Sequence, residues 1–271
     1  MNRNFDWLRA NLGGRWPSTF TAVDIETTGL DRLTDLIWQI GFAEVIDGKL
    51  VSTGQWIIDW TIAAVIDQLD LQDRMGRVIR RMEERGDACR LSLDLLKSGR
   101  PYQDVFADFV TRMAAWSQGW LVVHNGLRFD LPFIRAALTR FAATPLPECD
   151  RVLDTLALTR LRTYGDKPAL SPRHQEAADA YQTRVASLSY KVGKLTEICG
   201  RIPGFYEKYA ISTDSSHFAD ADAAMSAGLC LELTTGATPN DSLRPTASPL
   251  PVRLPDPLAV SPSPRQRKDW H

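Results

Sequence analysis

Asp24 and Glu26 stand two residues apart after an apolar approach, Phe20, Ala22 and Val23, in a chain of 271 residues. On a strand this spacing turns both side chains to one face. Two carboxylates on a buried face repel each other and lose hydration, which is costly unless a cation neutralises them. The donors are oxygens alone, with no Cys or His beside them, so the ion they suit is hard, Mg²⁺ or Mn²⁺. A surface strand with two solvated acids has the same pattern, and the pair by itself does not decide between the two. Two distant segments answer it: His124-Asn125-Gly126-Leu127-Arg128-Phe129-Asp130 and His217-Phe218-Ala219-Asp220-Ala221-Asp222.

The elements that must position these groups can be read around them. Residues 121–123 (Leu-Val-Val) form a short buried strand running into His124-Asn125-Gly126. Asp130 then opens a helix over 131–141, with Pro132 in the first turn, where proline is tolerated. Ser212, Thr213, Asp214, Ser215 and Ser216 supply helix-capping side chains ahead of His217. Asp222 falls in an Ala-rich helix reaching about Leu233. If both helix starts converge on the strand end holding Asp24 and Glu26, four carboxylates and one imidazole surround one site. Two-metal hydrolysis of a phosphodiester needs such a set.

In order, spacing and context these segments resemble the three motifs of the DEDDh group of 3′→5′ exonucleases. The first matches as Asp24-x-Glu26-Thr27-Thr28-Gly29, the second as His124-Asn125 with Asp130, and the third as His217 with Asp222. Leu153-Asp154-Thr155-Leu156 resembles the strand that often follows the second motif. The likeness covers roughly residues 18–235. It implies an α/β ribonuclease H-like fold, with Asp24, Glu26, Asp130 and Asp222 as ligands of two divalent cations, Mg²⁺ or Mn²⁺. It further implies His217 as general base, with Thr27, Thr28, Asn125 and Phe129 holding the terminal nucleotide. The rivals are bland: a dipole-complementing acid for Asp130, a surface histidine for His217, and Asp220 in place of Asp222, which the spacing from His217 disfavours. His124 reads as structural rather than catalytic, and Asp154 as a support of the fold.

The implied activity is release of nucleoside 5′-monophosphates from a single-stranded 3′ end, DNA favoured over RNA, with a polymerase or repair protein as a partner. Three competing readings are a non-catalytic nucleic-acid or polymerase-binding module of the same fold, an endonuclease, and an exoribonuclease trimming short RNA. Three stretches are longer than the family pattern: 59–100, 165–190 and 204–214. Within the first, Arg74, Arg77, Arg81 and Arg85 form a stripe opposite Met75, Val78, Ile79 and Met82. That pattern fits either a solvated face or a phosphate-contacting helix.

Composition sets the frame. Hydrophobic residues at 44% and charged residues at 24% are ordinary for a globular protein. A net charge of −1 argues against a broad nucleic-acid-coating surface but not against a grip on a few terminal nucleotides. The four cysteines show no paired spacing that would suggest zinc or a disulfide framework. With no eighteen-residue apolar run and no apolar stretch at the start, the expectation is a cytoplasmic protein without a membrane span. Strands are expected at 16–25, 36–45 and 50–58, the last two joined by an Asp47-Gly48 hairpin turn. Residues 1–17 read as an extension and 18–235 as the catalytic domain, with a helical expansion over about 60–100 and an insertion over about 165–190. Residues 236–271, punctuated by proline, read as a disordered tail.

Overall fold

The computed structural model describes residues 2–84, 91–165, 167–212, 218–235 and 243. Three antiparallel strands open the sheet: β1 (Phe20–Thr27), β2 (Ile37–Ile46) and β3 (Lys49–Ile57). Asp47 and Gly48 make the turn between the last two with φ of 49° and 75°, the left-handed pair that matches strand twist in a two-residue hairpin. The strand expected from residue 16 begins only at Phe20, where pairing with Val45 starts. Pro17 before it has no N–H to give a ladder. β1 also runs two residues past the expected end, to Thr27.

β4 (Leu121–Val123) pairs parallel with β1, and β5 (Val152–Asp154) parallel with β4, giving the order β3-β2-β1-β4-β5. This mixed five-stranded sheet flanked by helices is ribonuclease H-like. The helices are α1 (Arg3–Asn11), α2 (Gln68–Glu84), α3 (Leu93–Lys97), α4 (Tyr102–Trp116), α5 (Asp130–Phe141), α6 (Thr155–Tyr164), α7 (Ala178–Ser187), α8 (Leu195–Gly200), α9 (Phe205–Tyr209) and α10 (Ala219–Thr235). The segment Leu153–Leu156 is not one strand. It breaks at Asp154, whose carboxylate accepts the N–H groups of Leu156 and Ala157 and so caps α6.

Period two divides the sheet between two cores. Phe20, Ala22, Ala43, Val45, Val122 and Leu153 join the cluster formed with α1 and α6 to α10. Val23, Ile25, Ile40, Phe42, Leu121 and Val123 join the cluster formed with α2, α4 and α5. Asp24 and Glu26 continue the row of Phe20 and Ala22 towards the end of β1, so they emerge on the α10 side. α10 is buried along most of its length, and its run of Ala223, Ala224, Ala227 and Gly228 lets it lie close between sheet and neighbours. At Gly228 even a Cβ would meet Phe205 and Tyr209 at 2.8 Å.

Within residues 2–17, α1 buries Phe5 and Leu8 in the core shared with α6 to α10. In the long first expansion, α2 buries Met75 and Val78 while Arg77 is exposed. Arg74 is engaged, paired with Asp70 at 2.9 Å and Asp35 at 3.3 Å and donating to the Thr34 carbonyl at 2.8 Å. It braces the loop after β1. Arg85 lies outside the described residues. So do Cys89 and the tail residues 236–271 apart from Leu243, whose side chain is fully buried. No helix among the described residues is long and apolar enough to cross a membrane.

Candidate active site

Strand register builds the centre of the site. Asp24 lies opposite Gly41 and Glu26 opposite Gln39 in the β1–β2 ladder, so all four share one face. The first turn of α10 closes over this face and brings Asp222 to the two strand acids. Carboxylate oxygens of Asp24, Glu26 and Asp222 lie within 4.8 Å of one another, and each residue is half-buried. Asp220 is not part of that trio.

Asp130, at the start of α5, is buried with 3% exposure, and its Oδ1 accepts the Ile25 N–H at 3.3 Å. That bond inserts the second motif between the two acids of the first. Burial above all pushes the Asp130 carboxyl up to about 7, with the charges of Asp154 and Asp222 adding to it and backbone N–H groups opposing. Burial, then Asp130, Asp222 and Glu26, holds Asp24 well above the usual carboxylate range. Glu26 is raised well above it too, by burial and then by Asp222 and Asp130. Among the described residues no hydrogen-bond donor reaches the Asp24 or Glu26 side chain. Hard oxygen donors, crowded, desolvated and mutually repelling, fit a divalent cation.

The second motif is shaped by Asp154. Its Oδ1 accepts the Asn125 N–H at 2.9 Å and its Oδ2 the Leu127 N–H at 3.4 Å, beside the two N–H groups of α6. These bonds hold Asn125 at a φ of 63°, an uncommon conformation that asparagine tolerates better than most residues. The Asn125 side-chain oxygen is buried without a hydrogen-bond partner among the described residues. Asp154 itself is fully buried and raised to about 6 by that burial, against the pull of its N–H donors. Gln182 of α7 completes the brace: its amide accepts the Asp154 N–H and donates to the Val152 carbonyl, both at 2.9 Å. Arg128 reaches the Ala186 carbonyl at the end of the same helix at 3.1 Å. The stretch that reads in sequence as an insertion over 165–190 thus buttresses the second motif.

His124 places Nδ1 2.9 Å from the Thr155 hydroxyl, and burial followed by the Arg160 charge lowers it to about 4. It is neutral near pH 7. Phe129 stacks obliquely on Phe133 with ring centroids 5.4 Å apart. Thr27 donates its hydroxyl to the Gly29 carbonyl at 2.6 Å. Thr28 is buried and turned into the loop, its hydroxyl accepting the Leu36 N–H at 3.0 Å and donating to Asp35 at 3.4 Å. Whatever Thr28 contributes to the site, it contributes through the loop. His217 lies outside the described residues. The structure therefore brings together Asp24, Glu26, Asp222 and Asp130, with Asn125 and Phe129 on the adjoining loop. Sequence reasoning missed Gln39, Gly41 and Gln182. For Gln39 one signal existed: a polar residue inside the apolar run Ile37 to Phe42.

A carboxylate trio at the end of β1 offers hard oxygen donors that could hold a divalent cation. No family profile matches the chain. It is similar to two DNA polymerases III of PolC type. One, from Thermotoga petrophila, is 24% identical over 197 residues, covering 67% of this chain and 13% of that protein. The other, from Mycoplasma pneumoniae, is 28% identical over 145 residues, covering 52% and 8%. The chain thus spans only a small part of the length of these relatives. Among solved structures it is similar to exonuclease X in complex with 5′ overhanging duplex DNA, at 19% identity and a TM-score of 0.40, covering 83% of this chain and 96% of that one. It is also similar to E. coli exonuclease I in complex with a dA16 oligonucleotide, at 14% identity and a TM-score of 0.46, covering 82% and 42%. The polymerase relatives are consistent with the DEDDh-type 3′→5′ exonuclease family that the motifs resemble.

Proposed function

We propose that this protein is a divalent-cation-dependent 3′→5′ exonuclease that hydrolyses single-stranded 3′ ends to nucleoside 5′-monophosphates. The observation that carries the reading is the crowding of Asp24, Glu26 and Asp222 within 4.8 Å, half-buried and, for the two strand acids, without a described hydrogen-bond donor. Asp24, Glu26 and Asp222 would hold one Mg²⁺ or Mn²⁺ ion, and Asp24 with Asp130 the other. Bound there, the ions supply Lewis acidity towards the scissile phosphate and lower the pKa of water. The chain's own residues do the rest. Asp130 ties the α5 start to β1 and keeps the second motif at the trio. Asn125 offers a buried, unpartnered carbonyl oxygen to a donor on the terminal nucleotide, and Phe129 an aromatic face for its base. His217 would take the proton from the attacking water. The sequence relatives are DNA polymerases, which supports DNA over RNA and a polymerase or repair setting.

The test is degradation of matched single-stranded DNA, duplex DNA and RNA with Mg²⁺ or Mn²⁺. Asp24→Ala should bring turnover to background, and EDTA should do the same reversibly. A 5′-blocked strand should be shortened normally to mononucleotides while a 3′-phosphorylated one resists. Cleavage that persists in EDTA, or cuts in a circular single strand, would overturn the reading.

A further inference from the structure

Resting on that reading, a further part of the site lies outside the motifs. α10 begins at Ala219, and like any helix it starts with N–H groups that have no partner within the helix. A Ser, Thr, Asp or Asn at the preceding position commonly supplies an acceptor. Here that position is Phe218, whose side chain has none. The Ala219 N–H donates instead to Gln39 Oε1 on β2, at 3.3 Å and across 180 residues of sequence. Gln39 is fully buried and its Nε2 donates to Gln55 Oε1 on β3, while the Ala219 N–H, which can only donate, requires the oxygen end of the amide on the helix side.

Gly41, on the same face two residues further along β2, makes the approach possible. A Cβ there would sit 2.0–2.2 Å from backbone atoms of Ala219 and Asp220, a distance no side chain can occupy. The strand residues beneath the helix start are thus a glycine, which leaves room for it, and a glutamine, which holds it. These two stand opposite Asp24 and Glu26 respectively. Asp222 lies one turn into the helix they seat, and its oxygen must come within 4.8 Å of both strand acids although all three repel.

We propose that Gln39 is a positioning residue of the cation site: by docking the first turn of α10 on the sheet opposite Glu26, it sets where Asp222 stands. Gln39 does not touch the ion. It acts through the helix, as the partners of metal ligands do elsewhere, where their loss lowers metal affinity about 10–100-fold.

The experiment is calorimetric titration of the full chain with Mn²⁺, alongside thermal melting in EDTA, so that the readout does not depend on turnover. Gln39→Met keeps the volume and removes the acceptor. It should weaken Mn²⁺ binding about tenfold or more while melting in EDTA shifts by only a few degrees. Gln39→Asn, which stays polar but retracts the acceptor by one methylene, should show the same loss and serves if the Met variant does not melt cooperatively. Gln55→Ala leaves the Ala219 contact in place and should cost less than either. In an Asp222→Asn background, Gln39→Met should cost nothing further, because its effect runs through Asp222. Parent-like Mn²⁺ affinity in both Gln39 variants, or a loss that simply adds to that of Asp222→Asn, overturns the proposal. A parent chain that binds no Mn²⁺ overturns the cation-site reading itself, and this inference with it.

Discussion

A fully buried and a half-buried acidic region lie side by side in this protein and are stabilised in opposite ways. Asp154 sits at the end of β5 with four backbone N–H groups directed at its two oxygens. Asp24 and Glu26 sit towards the end of β1 with other carboxylates around them and no described donor. Both regions carry the cost of burial. At Asp154 protein dipoles offset part of it, and the carboxyl is pushed only to about 6. At Asp24 neighbouring acids add to it. A carboxylate surrounded by donors is a structural element. One surrounded by carboxylates lacks such a partner, which a cation could supply.

The largest effect that tests this contrast is on stability. Asp154→Ala strands four backbone donors, two of them in the second motif, and should destabilise the chain by on the order of 3 kcal/mol. Asp24→Asn removes repulsion and should raise the melting temperature of the metal-free protein. Denaturation of both variants in EDTA checks the pair. If both move the same way, the two regions are not different in kind.

The pH dependence of the metal-free protein sharpens the same point. Asp130 at about 7 and Asp154 at about 6 both lie above the ordinary carboxylate value. The native chain therefore keeps protons that the unfolded chain has released, and stability falls as pH rises. This contribution is full below about pH 4, and the two groups give it up as pH rises through 6 and 7. Melting in EDTA should show that decline, and Asp130→Asn should flatten it. Mg²⁺ binds the native, ionised site, so it should raise the melting temperature more at pH 8 than at pH 5.

The smallest effect concerns Asp220. It shares the first turn of α10 with Asp222 but not the trio. Asp220→Ala should change Mn²⁺ affinity by less than about threefold, since a partly exposed acid acts on the site only through screened charge. A loss as large as that of Asp222→Ala would mean that the third motif has been placed two residues out.

Much of this was legible in the chain. Period two alone put Asp24 and Glu26 on one face, and it divides Phe20 and Ala22 from Val23 and Ile25 in the folded sheet. The Asp47-Gly48 turn and the helix after Asp130 each follow from side chains within a few positions of them, whereas the capping residues 213–216 expected ahead of the helix holding Asp222 lie outside the described residues. Local rules fail where a residue's partner is remote. Nothing near Asp154 in sequence announces that Gln182 will brace it. The period of Thr155 and Leu156 gives no sign that the strand must stop to cap α6. Residues 165–190 look like an addition because the contacts that brace the second motif, to Val152, Asp154 and Arg128, reach outside them.

By itself, then, the sequence determined which residue types were available for cation chemistry and which faces of their own elements they occupy. Both are properties of neighbours along a chain with fixed dihedral preferences. Tertiary structure decided how close the three motifs come. It did so through Gly41 clearing a path for α10, Gln39 accepting the Ala219 N–H, and Asp130 accepting the Ile25 N–H. Those contacts join segments more than a hundred residues apart. They form only when packing of the two cores brings the backbones within hydrogen-bonding distance, which no local periodicity encodes.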